Sequence, residues 1–475
     1  MSFRLSSGGR IDRSQPRRFT FNGESYQGYA GDTLASALLA NGIHFVGRSF
    51  KYHRPRGIVA AGPEEPNALM QLGENPRTDP NAKATQVELV EGLKAAPQNC
   101  WPSLGVDIGE LNNVFARFIP SGFYYKTFMW PPSAWMRYEH FIRRAAGLGK
   151  APESRDPDRY DKTYAHCDVL VVGAGPAGLA AALAASRAGA RVILAEQDFA
   201  VGGSLLSGNA EETIGGQPAL DWVAEVLEEL AANPDVRLLT RSVAYAYYDH
   251  NFLGLMENVS DHLTDKPDGL PRHRLWKLRP AQVVLATGGL ERPLVFPDND
   301  RPGVMLAGAA RTYINRFAVR PGRRAVIATN NDSAYQTALD LEDAGVDVVA
   351  VVDQREAPAG YFTEKAKAKG IRILKERAIT ATKGRTRVEA VTVAEIGHDG
   401  KSTVGNGEQF ACDLLLSSGG WNPTVHLFSQ AKGKLRWDDE HACYVPDAPM
   451  QKAQHSAGFC NGTFGLGASL AEGFE

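Results

Sequence analysis

A glycine-rich turn offers the clearest chemistry in this chain of 475 residues. The sequence Gly-Ala-Gly-Pro-Ala-Gly at 173–178 directly follows the apolar run 168–172. In such a turn the first glycine permits a tight bend, the second lets backbone amides approach a pyrophosphate, and the third allows close packing of helix and strand. Glu196 ends the next predicted strand, where a carboxylate accepts hydrogen bonds from ribose hydroxyls. The spacing therefore predicts a dinucleotide site.

The same carboxylate restricts which dinucleotide fits. A negative charge at Glu196 would repel the 2′-phosphate of NADP, so the sequence favours NAD or FAD. Both share an ADP half, and the turn alone leaves the choice between them open. The alternative interpretation is an ancestral site that no longer holds a nucleotide.

No other arrangement of reactive residues is evident in the sequence. The 11 histidines are scattered, and spacing alone assembles neither a Ser-His-Asp nor a Cys-His set. No two cysteines lie within three residues of each other, so neither a CxxC pair nor a clustered iron–sulfur or metal site is present. We therefore expect no catalytic residue and no metal site in this chain. Reduced thiols predict a cytoplasmic protein.

The elements that position the turn follow a parallel α/β pattern. Strands are predicted over 168–172 and 191–196 with a helix over 179–188 between them, and a buried strand from Val283 ends in Ala-Thr-Gly at 286–288. From about residue 166 onward this order resembles flavoproteins with two dinucleotide-binding domains. The resemblance implies three-layer ββα/Rossmann domains, the first formed by 166–303 plus 413–475.

The second domain, over 304–412, is expected to be inserted in the first, with a strand over 324–328, a helix over 333–344 and a strand over 346–353. Its phosphate turn, Thr-Asn-Asn-Asp-Ser at 329–333, contains no glycine and places Asp332 beside the expected phosphates. We expect this degenerate domain to bind no second dinucleotide.

Composition limits the partners that the chain can have. The net charge of −2 gives no overall attraction to nucleic acid or an anionic membrane. The uncharged run 169–186 is interrupted by glycines and a proline, so it does not predict a membrane span. Residues 1–100 predict a small α+β domain, with Asp32 as the N-cap of a helix over 33–39.

Two further segments have an unusual composition. Residues 101–165 form an aromatic-rich arm and linker, with ten aromatic residues between 115 and 141 and the linker over 150–162. The arm either packs across the protein's own domains or meets another subunit. The basic run 48–57, Arg-Ser-Phe-Lys-Tyr-His-Arg-Pro-Arg-Gly, is a solvated face, an internal contact, or a contact to a partner subunit or an anion.

The basic run, together with Gly-Asp-Thr-Leu-Ala-Ser-Ala-Leu at 31–38, resembles the alpha subunits of heterotetrameric sarcosine oxidase. The resemblance extends over the whole chain and includes the turn at 329–335 and the segment 458–464. It implies that the N-terminal domain has a two-iron ferredoxin-like fold. Because residues 1–99 contain no cysteine, we expect no iron–sulfur cluster there.

The same resemblance implies an assembly and a reaction. The alpha subunit would hold NAD, and the beta subunit would hold FAD and a covalent FMN, the latter near the boundary between the two subunits. The enzyme would oxidise sarcosine to glycine and form H2O2, with smaller subunits completing the complex. Alpha subunits of this kind usually continue into a folate-binding region resembling aminomethyltransferases, which would form 5,10-methylenetetrahydrofolate. We therefore expect this chain to be truncated at Glu475.

Two other functions remain open. One is an alpha subunit of an opine oxidase, a proline dehydrogenase or a hydrogen cyanide synthase, and the other is a non-catalytic assembly subunit with a vestigial nucleotide fold. The candidate cofactor-binding residues are Gly173, Ala174, Gly175, Pro176, Ala177, Gly178, Glu196, Gln197, Gly203, Ser204, Val243, Thr287, Gly288, Gly458 and Phe464.

Overall fold

The computed structural model describes residues 2–120, 122, 128–145, 147–209 and 211–475. Phe123, Tyr124 and Tyr125 of the aromatic arm lie outside these residues. Within the described part of the chain, no helix has the length and apolar character needed to cross a membrane.

Strands and helices are named in chain order. The strands are β1 (Asp12–Phe21), β2 (Glu24–Ala30), β3 (Gly47–Arg48), β4 (Pro55–Arg56), β5 (Leu69–Leu72), β6 (Asp79–Lys83), β7 (Leu93–Pro97), β8 (Tyr160–Val172), β9 (Val192–Ala195), β10 (Thr213–Ile214), β11 (Gln217–Pro218), β12 (Val236–Leu239), β13 (Ser242–Tyr248), β14 (Phe252–Asn258), β15 (His273–Leu285), β16 (Gly289–Glu291), β17 (Val304–Leu306), β18 (Arg324–Thr329), β19 (Asp347–Asp353), β20 (Ile373–Lys375), β21 (Arg377–Lys383), β22 (Ala390–Ile396), β23 (Thr403–Ala411), β24 (Leu414–Ser418), β25 (Trp421–Pro423), β26 (Lys434–Asp438), β27 (Cys443–Ala448) and β28 (Gln454–Ser456). The α-helices are α1 (Leu34–Ala40), α2 (Leu111–Val114), α3 (Trp135–Ala145), α4 (Pro176–Arg187), α5 (Ala219–Ala232), α6 (Ala307–Asn315), α7 (Ser333–Asp343), α8 (Tyr361–Ala368), α9 (His426–Gln430) and α10 (Leu466–Phe474).

The chain divides into two compact units. Unit 1 comprises Met1–Pro157 and Pro293–Ser418, and unit 2 comprises Asp158–Arg292 and Gly419–Glu475. The N-terminal and inserted segments thus belong to one compact unit. The domain boundaries predicted at residues 100, 165, 303 and 412 stay predictions.

Unit 1 contains a five-stranded sheet in the order β2-β1-β7-β5-β6 and a parallel sheet in the order β17-β24-β18-β19-β20. An antiparallel sheet of β21, β22 and β23 adds a further layer. One apolar core joins the first two sheets, because Phe19 and Leu38 belong to the same buried cluster as Tyr313 and Leu416. Removal of these apolar side chains from water stabilises the two sheets together.

Unit 2 is built on one large sheet in the order β12-β9-β8-β15-β14-β13, with β28 paired to β15. Its central strands β8, β9, β12 and β15 are parallel, and apolar residues cover both faces. The α/β dinucleotide-binding fold predicted from the sequence is confirmed.

Two local predictions are wrong. Helix α1 begins at Leu34, and its N-cap is Thr33, whose side chain accepts from the Ser36 amide. The Asp32 carboxylate instead accepts from Arg4 at 2.6 Å and from the Ser36 hydroxyl at 2.6 Å, which leaves Thr33 to cap the helix. Strand β8 begins at Tyr160, inside the expected linker 150–162, because it pairs with β15 from His273 onward.

Candidate dinucleotide-binding site

The candidate site lies at the carboxyl edge of the unit 2 sheet, where three strands end in register. Val172 of β8 pairs with Ala195 of β9 and with Leu285 of β15. The glycine turn, Glu196 and the Ala-Thr-Gly segment 286–288 follow these three residues directly. The sheet register therefore brings together segments that are more than 100 residues apart in the chain, at the edge where open α/β sheets bind ligands.

Two of the glycines are required by close backbone contacts. Gly173 has a φ of +100°, and a Cβ placed on it would lie 2.3 Å from the Ala286 carbonyl oxygen. A Cβ on Gly178 would lie 1.8 Å from the Gly173 carbonyl oxygen. These approaches explain why the turn tolerates no side chain at either position.

Gly175 has a different role, because it leaves open space. It is the N-cap of α4, with Pro176 in the first helical position. The nearest atom to a Cβ on Gly175 would be the Gly203 Cα, 3.8 Å away. The N–H groups of the first turn of α4 lack intrahelical acceptors, and the helix dipole favours an anion in front of them. This cradle fits a pyrophosphate.

The loop 202–207 closes one side of the cradle. The Gly202 amide donates to the Ala174 carbonyl at 2.9 Å, and Gly202 has a φ of +131°. A Cβ on Gly203 would lie 2.7 Å from the Gly175 Cα, so this glycine allows the loop to approach the turn. Gly203 and the neighbouring Ser204 are exposed.

Glu196 is 8% exposed and is held by backbone donors. Its Oε2 accepts from the Ala174 amide at 2.7 Å, and its Oε1 accepts from the Asp198 amide at 2.9 Å. Burial raises the pKa of this carboxyl above its ordinary value, against the lowering effect of those donors. The carboxylate is thus fixed beside the turn, with acceptor capacity left for ribose hydroxyls.

The remaining predicted residues lie around these two features. Gln197 follows Glu196 and is exposed. The Ser242 amide donates to the Glu196 carbonyl at 2.8 Å, which brings the 42% exposed Val243 to the same end of the sheet. On the other side, the Thr287 hydroxyl donates to the Thr424 carbonyl at 2.8 Å, and nothing lies within 4 Å of a Cβ on Gly288.

The C-terminal segment contributes Gly458 and Phe464. A Cβ on Gly458 would lie 2.7 Å from the Ala177 Cβ, so this glycine is next to the start of α4. The Phe464 ring stacks on His441 at a centroid distance of 3.9 Å. Whether any of the predicted residues contacts a cofactor stays a prediction.

Two contributing residues were missed by the sequence analysis. Gly202 supports the loop over the turn, and the Gly-Gly pair at 202–203 was a signal that could have revealed it. Glu472 of α10 accepts from the Gly458 amide at 2.6 Å and also from the Asn461 side chain. No local pattern marks Glu472, because its partners come from a separate turn.

The turn 329–333 of the inserted segment is the counterpart of the glycine turn, and its polar groups form hydrogen bonds within unit 1. The Ser333 amide donates to the Asn331 side chain at 3.1 Å at the start of α7. Asp353 is fully buried and accepts from the Tyr335 hydroxyl at 2.8 Å. Arg355 donates to Asp332 and to Asp353, both at 2.8 Å. The start of α7 and the Asp353 carboxylate, the groups that would contact a nucleotide, are thus already hydrogen-bonded to other protein groups.

The basic run 48–57 is used inside unit 1. Arg48 is 5% exposed and donates to the carbonyls of Leu104 and His53. Arg54 forms ion pairs of 2.6 Å with both Asp298 and Asp300. Arg48 is therefore not part of a solvated face, whereas a partner or anion contact elsewhere in the run stays a prediction.

Comparison with protein families assigns the chain to a family that agrees with this site. Residues 167–455 match the family described as pyridine nucleotide-disulphide oxidoreductase, which is more than half of the chain. The chain belongs to the pyridine nucleotide-disulphide oxidoreductase family. Membership in this family supports the assignment of the chain as an oxidoreductase. The glycine fingerprint of a dinucleotide site is intact in unit 2 of this chain.

Curated relatives of this oxidoreductase confirm the predicted resemblance. It is 50% identical over 473 residues to the sarcosine oxidase alpha subunit of Rhizobium meliloti (strain 1021), covering 99% of this chain and 46% of the relative. It is 40% identical over 483 residues to the same subunit of Corynebacterium sp. (strain P-1), covering 99% and 44%. The chain therefore spans about half the length of the curated relatives it matches.

More distant comparisons support the fold. An opine oxidase subunit of Rhizobium meliloti is 29% identical over 294 residues, covering 59% of this chain and 55% of the relative. The crystal structure of L-proline dehydrogenase from P. horikoshii aligns with a TM-score of 0.66 at 20% identity, covering 100% of this chain and 73% of that chain. This likeness concerns the architecture alone.

A second family covers the N-terminal domain. Residues 14–100 match a family described as a 2Fe-2S iron-sulfur cluster binding domain. Two-iron clusters of this type require four ligands, normally thiolates. Cys100 is the only cysteine in the matched range, and no group of three metal-ligating side chains occurs among the described residues. The residues present do not fit the cluster that the family's description implies.

Proposed function

We propose that this chain is the NAD-binding part of the alpha subunit of a multi-subunit oxidase that converts sarcosine to glycine. The observation that carries the proposal is the 50% identity to a sarcosine oxidase alpha subunit over 99% of this chain. The fingerprint turn with its buried Glu196 supports dinucleotide binding. FAD remains the less favoured occupant of the same turn.

The residues of this chain would bind and orient the cofactor. The N-terminus of α4 would hold the pyrophosphate, Glu196 would accept from the ribose hydroxyls, and the loop 202–207 would cover the phosphates. NAD, when bound, supplies hydride-transfer chemistry. The FAD and FMN that would oxidise the amine and reduce oxygen to H2O2 are proposed to lie in or against the beta subunit. Formation of 5,10-methylenetetrahydrofolate would require a folate region outside residues 1–475.

A partner protein would cover the aromatic arm. Large apolar side chains along it are exposed, including Val114, Phe118, Trp130 and Met136 at 75%, 77%, 81% and 73%. Exposed apolar groups at this density mark interaction surfaces, and aromatic residues and methionine are enriched in interface cores. The relatives are named as alpha subunits, which agrees with an assembly. We propose that the beta subunit occupies this surface.

We also propose a cytoplasmic location. The five cysteines, all of them among the described residues, are free thiols, and four of them are buried. Free thiols are typical of a reducing compartment.

The decisive test is cofactor extraction combined with a substrate assay. The chain is co-expressed with the candidate partner subunits, purified, denatured, and analysed chromatographically for NAD, FAD and FMN. We expect about one NAD for each chain and H2O2 production that depends on sarcosine. An assembly that oxidises opines but not sarcosine would overturn the substrate assignment in favour of the opine oxidase alternative. Release of FAD from the isolated chain would overturn the NAD assignment.

A further inference from the structure

A buried carboxylate organises the loop 59–68 of the N-terminal domain. The Glu65 side chain folds back into its own loop and is 1% exposed. Its Oε2 accepts from the amides of Val59 at 2.8 Å and Ala60 at 2.7 Å. Its Oε1 accepts from the amides of Asn67 at 2.7 Å and Ala68 at 2.9 Å. Two backbone donors thus point at each oxygen.

This set of donors is suited to an anion. Converging backbone N–H groups form concave sites that bind phosphates and iron–sulfur centres. A protonated carboxyl or an amide would turn a donor toward other donors, so a carboxylate is the form that satisfies them. Burial raises the pKa of Glu65 above its ordinary value, and the backbone donors act against that rise.

The loop also connects two parts of unit 1. The Val59 carbonyl accepts from the Leu306 amide at 2.8 Å, and the Ala60 carbonyl accepts from the Tyr313 hydroxyl at 2.8 Å. Tyr313 is 1% exposed and belongs to the core that the N-terminal and inserted segments share. An anion at this position therefore holds the surface on which α6 packs.

The match of residues 14–100 to a cluster-binding family raises the question of which anion occupies this backbone site. The domain is matched to a cluster-binding family, yet its range contains a single cysteine. We propose that the Glu65 carboxylate is the permanent anionic ligand of this backbone site and maintains the loop in the absence of an inorganic cluster. The N-terminal domain then serves as a scaffold, and electrons do not pass through it. This inference does not depend on the proposed sarcosine or NAD specificity.

The test removes the Glu65 carboxylate by substitution and then supplies acetate as a replacement. Glu65→Ala deletes a group equivalent to acetate, and leaves the four amides without their acceptor. We expect the melting temperature to fall by roughly 5–10 °C and acetate to restore a substantial part of that loss. Chloride at equal ionic strength should not restore it. Glu65→Gln should also lower the melting temperature, because its NH2 group would face donors.

Glu74→Ala is the matched control, because Glu74 belongs to the same domain and its side chain is 71% exposed. It should change the melting temperature little and show no acetate effect beyond that of the native chain. If Glu65→Ala does not fold, Glu65→Gln still decides the matter. A Glu65→Gln chain as stable as the native one would overturn the proposal, as would failure of acetate to stabilise a folded Glu65→Ala chain.

A second readout addresses the metal directly. The native chain is incubated anaerobically with ferrous iron, sulfide and a thiol reductant, desalted, and assayed for iron, sulfide and visible absorbance. We expect background iron and no charge-transfer bands. Stoichiometric uptake of two iron and two sulfide with such bands would overturn the assignment of Glu65 as the ligand of the loop.

Discussion

Gly175 and Glu196 would provide the two interactions on which the proposed nucleotide binding depends. Gly175 leaves space in front of the N-terminus of α4, while Glu196 is fixed by the amides of Ala174 and Asp198. A side chain at the first position would fill the pyrophosphate position, and a carboxylate there would add repulsion. Loss of the second residue would remove the ribose acceptors.

Gly175→Asp should abolish copurification of the nucleotide, and Glu196→Ala should weaken binding about tenfold or more, since each bond to a charged acceptor contributes about 1.5–3 kcal/mol. The measurement is nucleotide content after denaturation, followed by titration of the stripped chain. Gly105→Asp is the control, because nothing lies within 4 Å of a Cβ on Gly105 and the charge change is the same. Full nucleotide content in Gly175→Asp protein would contradict the site.

His44 makes a separate prediction about pH. Burial, with a contribution from Arg387, lowers the pKa of His44 from 6.5 to about 3. The unfolded chain therefore takes up a proton below pH 6.5 that the folded chain does not, and stability falls as the pH decreases from 6.5 toward 3. This contribution amounts to about 1.4 kcal/mol per pH unit.

The free energy of unfolding is measured by urea denaturation between pH 6.5 and 4.5. For His44→Gln it should fall less steeply with decreasing pH than for the native chain, by about 1.4 kcal/mol per pH unit. His398→Gln, which replaces an exposed histidine of the same unit, is the control for the substitution itself. Parallel pH profiles for the native and His44→Gln chains would refute this assignment.

At the level of elements, the two nucleotide-type folds differ in how their turns are satisfied. The turn before α4 is open at Gly175, whereas the turn before α7 is bonded through Asn331 and through the Arg355 bridge to Asp332 and Asp353. A nucleotide entering the second fold would have to displace these bonds. It would also meet the Asp332 charge at the phosphate position.

Equilibrium titration of the stripped chain with NAD should therefore saturate at one molecule per chain. Gly175→Asp protein should show no saturable binding, because the inserted fold offers no replacement site. Saturation at two molecules, or at one in the Gly175→Asp chain, would be incompatible with the inserted fold being closed.

Over the molecule as a whole, a paired charge and an exposed apolar surface of unit 1 differ in their surroundings. Arg54 is paired with Asp298 and Asp300 inside unit 1. Phe118 and Trp130 of the arm are 77% and 81% exposed. The ion pairs contribute to the stability of unit 1, and the exposed rings belong to the surface that we propose for the beta subunit.

A Phe118→Ser, Trp130→Ser chain should stay folded, with a melting temperature within about 2 °C of the native value, because both rings are exposed. In pull-downs from co-expression, its partner content should fall at least about tenfold. Arg54→Ala should behave in the opposite way, lowering the melting temperature while each folded chain retains its partner. Unchanged partner content in the aromatic variant would show that the arm is not the docking surface.

The fold class and the dinucleotide turn follow from local features of the sequence. Glycine spacing between an apolar strand and a helix is a local constraint, and Glu196 is recognisable because it ends the next strand of the same unit. The buried strand from Val283 was also readable from its apolar residues. The helix cap was misplaced by one residue because Asp32 is bound by Arg4, a partner 28 residues away.

The pairing of charged side chains and the grouping of segments into units depend on the three-dimensional fold. The sequence leaves the partners of the basic run open, and the fold places Asp298 and Asp300 beside Arg54, more than 240 residues along the chain. The four amides around Glu65 likewise have no sequence signal, because backbone N–H groups are common to nearly every residue. Composition and spacing encode local geometry, whereas the partner of a buried charge depends on which distant segments the fold brings together.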